Sequence, residues 1–180
     1  MKQKKMGDNL QIAYRQPKNL QKIVCGTKKQ SVGDQVDISG CYKCNHCRVS
    51  CPILNETKTF SSTNTGKSYR IRQYINCEST NVIYLATCKK CGGQYVGKSK
   101  TKFKTRHSNH KQEIKKKYGG LGHHYGGAEG CGYENLSIIL IEKIPDEKSD
   151  TLPDRETFWQ HQLRVYVENG YKGHCYRKDL

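Results

Sequence analysis

The chain has 180 residues, 10 of them cysteine, and sets 32 Lys and Arg against 16 Asp and Glu for a formal net charge of +16. Its longest clean apolar run, LSIILI at 136–141, is far shorter than the roughly 20 residues a helix needs to cross a bilayer, so no membrane partner is expected. The positive surplus points instead to a polyanion, nucleic acid above all, because Lys and Arg on a folded surface attract phosphate and release its counterions.

Taken in chain order, residues 1–30 read as a polar linker or tail, with a short helix opening at Pro17 that sets Leu20, Ile23 and Val24 on one face. The opening MKQKKMGDNLQ has no apolar signal core, which places the protein in a reducing compartment, where ten cysteines argue for zinc rather than disulfides. Residues 31–77 are expected to form a Cys-rich zinc-binding subdomain: a loop, a cysteine cluster at 41–51, and a two-stranded ribbon over 57–77 that alternates around Gly66-Lys67. Residues 78–175 are expected to be the core. There the pattern predicts a strand at 81–87, a Cys-x-x-Cys-Gly-Gly turn, a strand at 94–97 and a basic helix over 99–117. The stretch 118–135 is too rich in glycine for regular structure; a strand at 136–143 and a helix from Pro153-Asp154 to 167 complete the chain. Phe158, Leu163 and Val167 are apolar positions of that last helix, Trp159 is expected in the core, and Glu156 lies in the first turn, where an acid favours the helix dipole. The fold class is α+β, a small antiparallel sheet flanked by helices on a Cys-rich base.

Cys41, Cys44, Cys47 and Cys51 put four thiols in eleven residues, and Cys88-x-x-Cys91-Gly-Gly is a knuckle that can turn two sulfurs into one tetrahedral site. Cys77 lies between them. Seven cysteines and a histidine fill two zinc sites; alternatively the four local cysteines close one site alone, and the spacing leaves the pairing open. Cys25, Cys131 and Cys175, each isolated, read as small buried hydrophobes.

A hairpin centred between Lys89 and Lys90 sets Tyr84 opposite Tyr95 and Cys88 opposite Cys91, with both phenols on one face. By itself this is an ordinary cross-strand aromatic pair. On the following helix Arg106 and His110 share a face at i and i+4, among lysines that mostly read as a solvated surface, with Glu113 the sole acid between 98 and 117.

Together these residues resemble a family. VIYLATCKKCGGQYVG resembles the GIY-YIG nuclease motif: Val82-Ile83-Tyr84, ten residues, then Tyr95-Val96-Gly97, with Val82 in place of the first glycine. FKTRHSNH is similar to the family's helix with Arg and His four apart, and RETFWQHQL to its later helix bearing a metal-binding Glu. The knuckle between the motif halves and the upstream cysteine cluster resemble the endonuclease domain of Penelope-like retroelements, and IAYRQPKNLQKIV is similar to the linker that joins that domain to reverse transcriptase. Lys172 stands where the family often has Asn, and His123 or His124 where members often carry a further histidine.

The resemblance implies a GIY-YIG-type fold and a DNA endonuclease that nicks one strand and leaves a 3′-OH to prime reverse transcription. It implies Mg2+ or Mn2+ held by Glu156, Tyr84 as general base, Arg106 on the phosphate, Tyr95 orienting water or phosphate, and His110 sharing the base role. Cations near Tyr84 are expected to lower its pKa. Lys98, Lys102, Lys111 and His124 are expected DNA contacts, and Cys41, Cys44, Cys47, Cys51, Cys77, Cys88 and Cys91 hold one or two structural zinc ions. A reverse transcriptase domain, element RNA and a nuclear location follow from the same likeness. The competing reading is a non-catalytic, zinc-dependent nucleic-acid-binding module, from which Tyr84, Tyr95, Arg106 and Glu156 distinguish the nuclease.

Overall fold

The computed structural model describes residues 37–48, 51–126 and 130–165. The expectations for the helix at Pro17, for Cys25 and Cys175, and for Val167 and Lys172 lie outside them.

The centre is a three-stranded antiparallel sheet in the order β6-β5-β7, from β5 (Val82–Cys88), β6 (Gln94–Ser99) and β7 (Leu136–Lys143). VIYLATC is apolar except for Thr87, so the strand that can be covered on both faces takes the middle; every β5 residue except Thr87 is buried. Four three-residue strands precede it. β1 (Gly40–Tyr42) pairs in parallel with β4 (Tyr74–Asn76), and β2 (Thr59–Ser61) pairs with β3 (Ser68–Arg70) as the expected ribbon around Gly66.

The hairpin forms, but not in the symmetric register. Tyr84 pairs with Gly97, and Ala86 with Tyr95. Cys88 accepts from the Gly92 N–H (2.8 Å) and donates to the Gly93 carbonyl (2.8 Å), with Gly92 left-handed at φ +73°. The turn is therefore longer than two residues, and Cys91 belongs to the turn rather than to the strand opposite Cys88. The shift of two residues keeps side-chain parity, so Tyr84 and Tyr95 still share a face as diagonal neighbours, ring centroids 6.3 Å apart.

Helix α1 (Phe103–Lys116) buries a stripe of Phe103, His107, His110 and Ile114, spaced four, three and four, against the tyrosine face of the sheet. Lys115 and Lys116 in its last turn suit the helix dipole, and Lys117 ends it in a left-handed cap at φ 57°. The glycine-rich stretch is not irregular: Gly119–Tyr125 is a short helix, α2, followed later by a 3-10 turn at Tyr133–Asn135. Packing overrides propensity here. Leu121 and Tyr125 are buried, and Gly122 lies so close to the Glu113 carbonyl oxygen that a Cβ would stand 2.6 Å from it.

Helix α3 (Leu152–Leu163) opens at Leu152 with Pro153 in its first turn and lies against β6. Glu156 is consequently in the second turn rather than the first. The ribbon caps the far end of α3: Ser62 Oγ donates to the Leu163 carbonyl (2.8 Å), Asn64 Nδ2 to that of Arg164 (2.8 Å) and the Tyr69 hydroxyl to that of Gln162 (3.0 Å). These are carbonyls that a helix end leaves without an intrahelical partner. Trp159 is only partly buried, edge-on to Phe60 and Tyr69.

Candidate active site and metal groups

β5, β6 and α1 bring Tyr84, Tyr95, Arg106 and His110 together. Tyr84 is fully buried, and its hydroxyl stands 2.5 Å from His110 Nε2. His110 Nδ1 lies 2.7 Å from Glu113 Oε2, and Arg106 Nη1 donates to Glu113 Oε1 at 3.4 Å. A carboxylate only accepts, so Nδ1 carries the imidazole proton and Nε2 is left to accept from the phenol. Burial, and then Arg106, push the His110 pKa below its usual 6.5 despite Glu113, which keeps the ring neutral.

The tyrosines are not activated by lowered pKa. Burial raises Tyr84 well above the usual 10, with Tyr95 adding to it and Arg106 only partly offsetting it. This corrects the expectation of a Tyr84 acidified by nearby cations: the phenol keeps its proton and offers it to His110. Burial likewise raises Tyr95, helped by the charge of Glu156. Arg106 Nε is buried and has no hydrogen-bond partner among the described residues. Such an orphaned donor beside the phenols suits an incoming phosphate oxygen.

Glu156 reaches the rim from α3. Its side chain is 18% exposed and pairs with Lys98, the residue after the motif glycine on β6. Gly97 itself pairs with Tyr84, and a Cβ there would overlap the Tyr84 hydroxyl and stand 2.8 Å from a Tyr95 ring carbon. Only a residue without a side chain lets the two phenols meet.

Two sequence-predicted contacts lie elsewhere. Lys102 pairs with Glu78 at 3.0 Å, and Lys111 sits over the Tyr133 ring, 5.9 Å from its centroid. His124 does not face outward as a DNA contact. Its Nε2 is 3.5 Å from Cys91 Sγ, in a group with Cys88 and Cys131 whose ligand atoms all lie within 4.8 Å of one another.

A second group of the same compactness joins Cys44, Cys47, Cys51 and Cys77. Its Sγ–Sγ separations of 3.6 Å (Cys44–Cys51), 3.3 Å (Cys47–Cys51) and 3.6 Å (Cys51–Cys77) approach the edge of roughly 3.8 Å expected for a tetrahedron with Zn–S bonds near 2.3 Å. Donor sets of four sulfurs, or three sulfurs and an imidazole, suit zinc, and both groups can hold it. Burial opposes ionisation of Cys44, yet the N–H groups of His46 and Cys47 and the thiols of Cys47 and Cys51 bring its pKa down to about 6. Cys131, read from sequence as an isolated hydrophobe, is thus a ligand candidate. Cys41 is not: it is fully buried on β1, its Sγ accepts from the Leu140 N–H (3.3 Å), and burial pushes its pKa up to about 12, a thiol that packs rather than binds.

Sequence reasoning missed three members of this constellation. Glu113 was visible as the lone acid one turn beyond His110; Gly97 was visible in the motif but had no role without the true register. Cys131 had no local signal at all.

The GIY-YIG catalytic domain family matches residues 80–172, just over half of the chain. The chain belongs to the GIY-YIG family. Its core is accordingly that of a nuclease which binds DNA, and GIY-YIG nucleases use divalent metal ions. No curated protein and no solved structure matches the chain. Among the described residues no helix is long and apolar enough to cross a membrane.

Proposed function

We propose that the chain is the endonuclease of a Penelope-like retroelement: a Mg2+- or Mn2+-dependent enzyme that nicks one DNA strand and leaves a 3′-OH to prime reverse transcription. The observation that carries the nuclease reading is the buried hydrogen-bonded line from Tyr84 through His110 to Glu113, with Tyr95, Arg106 and Glu156 around its open end. The retroelement assignment rests on the two cysteine groups and on the likeness of the N-terminal segment to a reverse transcriptase linker. A reverse transcriptase domain and element RNA as partners, and a nuclear site of action, follow from it.

Glu156 fits a hard divalent ion. It is one carboxylate on the rim, beside Tyr95 and Lys98, and Mg2+ is commonly held by one or two carboxylates, retained waters and substrate phosphate. When bound, the ion would supply positive charge for the leaving 3′ oxygen. The chain's own groups move the proton. As water attacks phosphorus, its proton passes to the Tyr84 oxygen while the Tyr84 proton passes to His110 Nε2, and the imidazolium so formed is held by Glu113. Arg106 presents its guanidinium to the phosphate oxygens. Tyr95 and Arg106 are the neighbours of Tyr84 that retain solvent exposure, so substrate reaches the phenol past them. The two cysteine groups hold structural zinc, which leaves no open position for chemistry.

The test is nicking of supercoiled plasmid by zinc-loaded protein with Mg2+ or Mn2+, against protein without added divalent ion and against Glu156→Ala. Divalent-dependent nicking lost in the variant supports the reading; binding without cutting in every arm makes the domain a zinc-clamped DNA-binding module instead. Glu113→Gln addresses the relay. A fall in rate of about 10–100-fold is expected, with the acid limb of the pH profile displaced and DNA affinity kept; an unchanged profile rules the relay out.

A further inference from the structure

We propose that the cleft between β3, β7 and α3 is a second nucleic-acid contact, taking an unpaired DNA strand whose bases stack on α3. The cleft, about 480 Å³, is lined by Tyr69, Arg70, Arg72, Arg155, Phe158 and Trp159 among others. Tyr69 and Arg70 of β3, and Arg72 and Gln73 just after it, precede residue 80 and so lie outside the stretch that matches the family.

Its wall is an aromatic cluster with one face left open. Trp159 stands edge-on to Tyr69 (centroids 5.4 Å apart) and to Phe158 (5.2 Å), and Phe158 is 40% exposed. The Arg155 guanidinium lies over the Phe158 ring, 4.3 Å from its centroid, and Lys67 lies over Tyr69 at 5.3 Å. The lining sets three arginines against Glu142, and Glu142 is already engaged: Arg155 Nε donates to both its oxygens (3.0 and 3.1 Å) and Trp159 Nε1 to one of them (2.6 Å). Arg70 is paired with Asp37, whereas Arg72 is exposed and has no ion pair among the described residues.

An apolar peptide would leave the Arg72 guanidinium without an anion, and a free phosphate would leave the aromatic face unused. A nucleic-acid strand uses both, stacking a base on the ring and setting a phosphate against Arg72. A duplex hides the faces of its bases, so the strand is unpaired. Arg155 is the neighbour of Glu156 and Trp159 lies one helical turn on, about 5 Å along the axis. A strand leaving Glu156 therefore enters the cleft within a few nucleotides of the cut, a placement that rests on the nuclease reading, whereas binding in the cleft does not.

Trp159 is the sole tryptophan of the chain, so its fluorescence reports this cleft. Zinc-loaded full-length protein without added divalent ion would be titrated with oligodeoxythymidine, oligouridine, a blunt duplex of equal length and inorganic phosphate. Saturable quenching by oligodeoxythymidine that weakens with salt, exceeds that by the other probes, and loses tenfold or more in affinity in Phe158→Ala/Arg72→Ala is the expected result. Glu156→Gln should bind the oligonucleotide as the parent does, so a chain that fails to nick plasmid but still quenches would sink the nuclease reading alone. Absent quenching, quenching unchanged in the double variant, equal quenching by duplex or phosphate, or preference for oligouridine overturns the assignment.

Discussion

The Cys44, Cys47, Cys51 and Cys77 group takes three ligands from one short loop and the fourth from the residue after β4, whereas the Cys88, Cys91, His124 and Cys131 group draws on three separate parts of the chain: the β5–β6 hairpin (the end of β5 and its turn), α2, and the loop before β7. The first meets α1 at its start, where the Phe103 and Lys104 N–H groups donate to the Ser79 and Cys77 carbonyls, each at 3.0 Å. The second reaches the site twice. It closes the hairpin whose strands carry Tyr84 and Tyr95, and through α2 it holds the end of α1, where Gly122 lies against the Glu113 backbone. The comparison sets an expectation: the group that ties more of the elements bearing Tyr84, Tyr95, His110 and Glu113 should matter more to cleavage, whatever its number of thiols. The second group also lies wholly inside the family-matched span, the first wholly outside it.

The sharpest way to break this comparison is to remove two ligands from each group in turn. Cys88→Ser/Cys91→Ser should reduce plasmid nicking at least 100-fold and lower the thermal midpoint, because misplacement of reacting groups by about 1 Å costs on that order. Cys44→Ser/Cys47→Ser should leave cleavage within about tenfold of the parent while its 40–77 segment becomes the readily proteolysed part. Equal losses in both would show that the start of α1 matters as much as the hairpin turn.

Zinc content, read by mass spectrometry on purified protein, sharpens the ligand sets. Two ions per chain are expected. Cys131→Ser should bring the count toward one; Cys41→Ala should leave it at two while costing about 1–3 kcal/mol through the cavity left beneath Leu140. A count lowered by Cys41→Ala would restore it to the first group.

The same contrast explains what could be read from the chain directly. Tyr84, Tyr95, Arg106 and His110 were legible because a two-residue strand period and a 3.6-residue helix period act locally. The register was not, because Gly92 at φ +73° lengthens the turn, and nothing in CKKCGG says which residues leave the strand. Spacing left open whether Cys41, Cys44, Cys47 and Cys51 close one site alone or share ligands with Cys77; β1 turns Cys41 into the core and Cys77 takes its place, a long-range choice invisible to spacing. Glycines at 119, 120 and 122 argued against a helix until the close approach to Glu113 gave Gly122 a reason. The cleft on α3 was hidden for a like cause: Trp159 read as core and Phe158 as an apolar helix position, and only the placement of the ribbon decides which of the two faces out.

The smallest expected effect separates acid loss of metal from acid loss of fold. Both cysteine groups lose affinity for metal as thiolates protonate, so stability falls with pH through each of them. His107 on α1 adds a share of its own. Its Nε2 is 3.0 Å from the Tyr133 hydroxyl, its ring is stacked by Phe103 and Tyr133, and burial, then His110 and Lys111, lower its pKa to about 4 from 6.5. A folded-state pKa below the unfolded one means that the unfolded chain binds the extra proton. The His107 contribution is therefore intact above pH 6.5 and lost as pH falls toward 4, to a total of at most about 3 kcal/mol. His107→Gln cannot take up that proton and keeps an amide for Tyr133, so urea midpoints measured between pH 7.5 and 5 should fall less steeply in the variant than in the parent. The slope that remains is shared by His110, whose pKa burial also lowers, and by the cysteine groups; it should shrink further in Cys88→Ser/Cys91→Ser than in Cys44→Ser/Cys47→Ser if the second group is the one on which the fold of the site depends.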